Sequence, residues 1–78
     1  MTNIPRINLE KTGINIIKLR QEAGLTVKDL QTELGLGSAQ AIYRWQNGET
    51  LPTVDNLVLL AKILDVTIEN IIICDKVY

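Results

Sequence analysis

Four side chains that end in hydrogen-bonding groups fall close together in the chain: Gln40, Tyr43, Arg44 and Asn47. They stand at i, i+3, i+4 and i+7, so at about 100° per residue they share one face of a helix. Ala41, Ile42 and Trp45 fall on the other side and belong to a core. Such a face is suited to reading the edges of nucleotide bases. The amide of Gln40 matches adenine N6 and N7, and the guanidinium of Arg44, one turn on, matches guanine O6 and N7. Tyr43 reaches a phosphate or packs on a thymine methyl, and the small Ala39 at the leading edge permits close approach. An ordinary solvated face satisfies the same spacing, so the pattern alone does not decide.

Phosphate anchoring has its own candidates. Backbone N–H groups near Thr26 and Ser38, each expected to open a helix, favour anions even where cations are few. Lys28 adds a positive charge in the first turn of the second helix. Asn47 and Thr50 flank the turn Asn47-Gly48-Glu49-Thr50 and offer hydrogen bonds to phosphate oxygens. Thr26 and Ser38 serve as caps in either case.

These residues must be positioned by short helices, each opened by a hydroxyl residue. Residues 1–11 carry Pro5 and no sustained period, and read as a loosely held N-terminal arm. Thr12 opens a first block that ends at Ala23-Gly24. Thr26 opens a second, with Asp29 at the capping-box distance and Gly35 as its stop. Ser38 opens the third, which runs to Asn47-Gly48. Thr53 opens a fourth with Leu57, Leu60, Ala61 and Leu64 at helical spacing, and Thr67 a short fifth. The β-branched Ile72-Ile73-Cys74 suggests a short extended tail. A helical domain over 12–73 with a tail at 74–78 follows. The glycine-bearing turn Leu34-Gly35-Leu36-Gly37 sets the second and third helices at a steep angle, a helix-turn-helix corner.

Size and composition narrow the chemistry. Seventy-eight residues, 46% hydrophobic and 22% charged, make one domain with a core. The absence of histidine and the single Cys74 argue against a zinc site, a disulfide framework or a Ser-His-Asp machine. No catalytic residues, metal site or cofactor are expected, so the chain reads as a non-enzyme. Cys74 reads as a small apolar filler, the alternative being a redox switch between two chains. The longest apolar run, Leu57–Ala61, is too short to span a bilayer, and no secretory pattern opens the chain. A cytoplasmic protein without membrane contact or an evident small-molecule ligand is the expectation.

Residues 13–73 resemble the Cro/C1-type helix-turn-helix family of phage repressors and bacterial regulators, the xenobiotic-response-element type. The resemblance is carried by Ile16-Ile17-Lys18-Leu19-Arg20, Ala23-Gly24-Leu25-Thr26, Leu34-Gly35-Leu36, Gln40 through Gly48, Leu51-Pro52, Asp55-Asn56-Leu57 and Val66-Thr67-Ile68-Glu69. Trp45, Asn47-Gly48 and Leu51-Pro52 at this spacing are its specific part. It implies an all-α, five-helix, lambda-repressor-like domain that binds operator DNA, usually as a dimer. Gln40 and Arg44 align with base-reading positions and Asn47 with a phosphate-contacting one. Val27 stands where many members carry a polar phosphate ligand, which implies that this contact is lost. Arg20 usually pairs with a Glu after the helix-three Trp. Here Gln46 stands there, leaving a hydrogen bond without charge assistance. Gly37 lengthens the turn by one residue relative to the commonest pattern.

The functional expectation is a sequence-specific transcriptional regulator, a repressor by analogy, with double-stranded DNA as its partner. Eight Lys+Arg against nine Asp+Glu give a net charge of -1, so affinity per protomer should be modest and its salt dependence shallow. Two protomers on half-sites one helical turn apart would raise it. Ile68, Ile71, Ile72 and Ile73 exceed what a short terminal helix buries alone and suggest a homodimer contact, unless they simply seal one core. The near-neutral charge also keeps open a different class, a protein-interaction module of antitoxin or anti-repressor type.

Overall fold

In the computed structural model, which describes residues 4–77, three of the expected hydroxyl caps do what their position suggests. Thr26, Thr53 and Thr67 each sit in extended backbone and accept a hydrogen bond from the N–H three residues on. Thr26 forms a full capping box with Asp29, whose carboxylate accepts the Thr26 N–H at 2.9 Å. These caps open α2 (Val27–Leu34), α4 (Val54–Leu64) and α5 (Ile68–Ile71).

The other two openings differ from expectation. Helix α1 (Leu9–Glu22) begins three residues before Thr12, capped by Asn8, whose Oδ1 accepts the Lys11 N–H at 2.8 Å. Thr12 is instead fully buried, its hydroxyl accepting the Ile73 N–H at 2.9 Å and donating to the Ile73 carbonyl at 3.3 Å. Helix α3 (Gln40–Gln46) begins after Ala39, which makes no side-chain cap bond. Ser38 lies in the preceding turn and caps nothing.

The stretch before α1 is also more ordered than a loose arm. Ile4–Ile7 forms β1, antiparallel to β2 (Cys74–Val77), with Ile4 opposite Val77 and Ile7 opposite Cys74. The extended tail is therefore present, and its partner is the stretch before α1. A two-stranded sheet is marginal by itself. This one is tied to α1 by polar contacts. The Asn8 N–H donates to the Ile73 carbonyl at 2.8 Å, and the Asn8 amide donates to Asp75 at 2.7 Å. Lys11 pairs with Asp75 at 3.5 Å. One turn further on, the Asn15 amide donates to the carbonyls of Asn70 and Ile71.

The core lies among the helices. Ile16, Leu30, Ile42, Leu60 and Ile71 are wholly buried, with Leu34, Trp45 and Leu64 nearly so. Helix α1 lies close against α3 because Gly13 is there. A Cβ at Gly13 would meet the Trp45 carbonyl oxygen at 2.5 Å and the Gln46 carbonyl oxygen at 2.6 Å. Gly48, at φ 74°, ends α3 in the left-handed region and lets its loop rest on the backbone of Glu10. Helix α4 ends with Asp65 at φ 55°, the one described non-glycine residue in that region. No described helix is long and apolar enough to cross a membrane.

Candidate nucleic-acid interface

Helix α3 has too few residues to be stable alone, so its orientation comes from packing. Ile42 at 0% and Trp45 at 4% exposure anchor one side into the core. The following residue, Gln46, is also buried, a polar side chain that needs a partner. Arg20 supplies it from α1, its Nε donating to Gln46 Oε1 at 3.0 Å. The same guanidinium donates through Nη1 to the Leu25 carbonyl at 2.8 Å. One side chain thus joins α1, α3 and the approach to α2. The hydrogen bond expected between Arg20 and Gln46 is present.

With one side fixed, the other faces outward. Gln40, Tyr43, Arg44 and Asn47 are all exposed, and Ala39 is half-buried at the start of the helix. The helical spacing in the sequence therefore corresponds to one solvent-facing stripe. Along it run an amide, a phenol, a guanidinium and a second amide, with no acid. Gln40 and Arg44 stand one turn apart, a reach suited to adjacent base pairs.

The phosphate candidates divide. Thr26, Lys28, Ser38 and Thr50 are exposed. The Thr26 hydroxyl already accepts the Asp29 N–H at 3.0 Å, so only its donor side is free for an anion. The Asp29 carboxyl is held below its ordinary value by the hydrogen bond from the Thr26 backbone, then by the Thr26 side chain. It is a standing negative charge beside that corner. Asn47 caps the C-terminus of α3, and its amide donates to Glu49 at 3.4 Å. A carboxylate therefore stands within hydrogen-bond reach of the Asn47 amide. Val27 is half-buried against the core, facing away from this role.

The turn between α2 and α3 explains the corner. Gly35 at φ 70° ends α2, and the Leu36 N–H returns to the Gln31 carbonyl at 3.0 Å. Leu36 itself packs on the core, so the turn is pinned from below. Gly13 was missed as a determinant of the site. Its only signal is a glycine inside a helical pattern, where a close backbone approach is one of several causes.

The helix-turn-helix family model matches residues 16–71. The chain belongs to the Cro/C1-type helix-turn-helix family. Among solved structures it is similar to the restriction-modification controller protein C.AhdI from Aeromonas hydrophila. The identity is 25%, the TM-score 0.72, and the match covers 81% of this chain and 94% of that one. No curated protein sequence matches the chain. Membership places this Cro/C1-type protein among DNA-binding transcriptional regulators. Both strands, β1 and β2, lie outside the span that the family model matches.

The residues named for self-association are spread over different environments. Ile71 is 0% exposed inside its own protomer, which removes it from any shared surface. Ile72 and Ile73 are half-buried, and Ile68 is exposed. Other exposed apolar residues are Val54, Val58 and Leu59 on α4, and Ile7, Leu9 and Ile14 on β1 and α1. Val58, Lys62, Asp65 and Ile68 line an open groove between α4 and α5.

Proposed function

We propose that this Cro/C1-type protein represses transcription in the cytoplasm by laying α3 in a DNA major groove. In this reading Gln40, Tyr43 and Arg44 read base edges, and Ala39 lets the helix approach closely. Thr26, Lys28, Ser38, Asn47 and Thr50 hold the phosphates on either side. The observation that supports it most is the outward stripe of α3, opposite a side locked by Ile42, Trp45 and the Arg20–Gln46 bond. Likeness to a controller protein supports regulation as the outcome.

The same reading includes a homodimer. Val54, Val58, Leu59 and Ile68 form its apolar surface, and Ile72 and Ile73 contribute what their own protomer leaves open. Lys62 and Asp65 flank the groove with opposite charges, which a two-fold axis would pair reciprocally.

Selection from random duplexes tests base reading directly. A single enriched motif is expected. Arg44→Ala should lose about 1–3 kcal/mol of preference for that motif over mixed sequence. No enriched motif, or unchanged preference in both Arg44→Ala and Gln40→Ala, would overturn the reading face. One observation favours a second reading, a protein-interaction module. The exposed α4 face accompanies a net charge of only -1, so a different protein could occupy it. Its mark would be stoichiometric capture of one partner together with DNA binding that shows no sequence preference.

A further inference from the structure

Arg20 reaches from the last turn of α1, and both hydrogen bonds that fix its guanidinium end on neutral oxygens. One is the Gln46 amide, the other the Leu25 carbonyl. Gln46 is followed directly by Asn47, and Leu25 directly by Thr26. The guanidinium therefore stands one residue behind each of two separate phosphate candidates. It links the two segments that carry them.

No described carboxylate lies within ion-pairing distance of the Arg20 guanidinium. Among the described residues the one ion pair is Lys11–Asp75, which involves other elements. A carboxylate at Gln46 would accept the same Nε–H and neutralise the charge. An amide accepts the bond and leaves the charge in place. Arg20 is half-buried, where screening by salt ions is weaker than at a free surface. In a chain with a net charge of -1, one such cation behind the reading helix is a large share of the attraction toward DNA.

We infer that Arg20 is a positioning residue for DNA binding that also supplies a standing positive charge, and that Gln46 is the residue that leaves this charge uncancelled. The inference rests on α3 being the helix that faces DNA. It adds to that reading a residue that touches neither base nor phosphate and still governs affinity.

Gln46→Glu separates the two roles of this pair. The variant keeps the shape and the hydrogen bond and strengthens the link to Arg20, so its melting temperature should equal or exceed the parent's. Binding to a fluorescent mixed-sequence duplex should weaken by about three- to tenfold at roughly 50 mM salt. The deficit should close as salt approaches about 300 mM, with a shallower log–log slope. Arg20→Lys keeps the charge and loses the two-pronged bond. It should hold mixed-sequence binding near the parent's while losing preference for the selected motif. A well-folded Gln46→Glu that binds as tightly as the parent at low salt would overturn the charge role. So would one whose deficit is the same at every salt concentration. If Gln46→Glu melts below the parent, Arg20→Lys decides alone, and loss of its mixed-sequence binding at low salt overturns the charge role. Failure of the DNA-facing assignment itself looks different: the parent protein would show no salt-dependent binding to any duplex.

Discussion

Asn47 and Glu49 are in direct conflict at the end of α3. In the proposed reading the Asn47 amide meets a phosphate, yet it donates to the Glu49 carboxylate at 3.4 Å. Glu49 takes one of the two N–H donors of that amide and would repel an incoming anion. Glu49→Gln should therefore tighten DNA binding by about 0.3–1 kcal/mol at low salt, with sequence preference unchanged. Anisotropy titrations at two salt concentrations check this. Arg44 differs from Glu49 in kind, because truncating it should change which sequence is preferred rather than how strongly any duplex is held.

Between elements, the α1–α3 contact controls the angle of α3. Gly13 allows that contact, since any side chain there would push on the carbonyls of Trp45 and Gln46. Gly13→Ala should destabilise the fold by about 1–3 kcal/mol, measured by urea unfolding, although alanine is the better helix former. The terminal sheet has a chemical dependence of its own. The Asn8 amide donates to Asp75 and holds its carboxyl below the ordinary value of 3.8, partial desolvation opposing this and Lys11 assisting. A depressed folded value means that the carboxylate's contribution is complete above 3.8. It is lost as pH falls through the lower folded value. Cross-strand contacts between β1 and β2, followed by NMR, should weaken on acidification before the helical core does. Asp75→Asn should remove most of that acid dependence.

The helices were legible because hydrophobic periodicity and caps are local signals. Thr26, Thr53 and Thr67 act as expected, and the outward stripe of α3 follows from a 3.6-residue period with Ile42 and Trp45 on the other side. Thr12 and Ser38 misled for a physical reason. A hydroxyl before an apolar run becomes a cap only if the N–H three residues on is free to meet it. The Thr12 hydroxyl is instead bonded to Ile73, 61 residues away. The β1–β2 pairing is hidden in the same way, since its partners lie at opposite ends of the described chain. Pro5 argued locally against order, yet an edge strand in a two-stranded sheet tolerates a proline whose missing N–H faces solvent. Residues 1–3, part of the arm as read from sequence, lie outside the described residues.

At the scale of the whole molecule, charge and apolar exposure set opposite requirements. A net charge of -1 gives one protomer little attraction to a polyanion, so in the proposed reading occupancy of a site depends on two protomers binding together. The exposed Val54, Val58, Leu59 and Ile68 are the surface proposed to join them. Ile68→Lys should leave the protomer folded, because Ile68 is already 38% exposed, and shift sedimentation toward monomer. Binding to a two-half-site duplex should then fall at least tenfold while binding to a single half-site changes little. Unchanged sedimentation would place the protomer contact elsewhere.

Strand β1 lies antiparallel to β2 so that Ile4 faces Val77. The outer ends of the two strands therefore lie side by side. A peptide link of a few residues between the two strands would span little distance and distort nothing in the helical body. It would stabilise the fold chiefly by limiting the freedom of the unfolded chain.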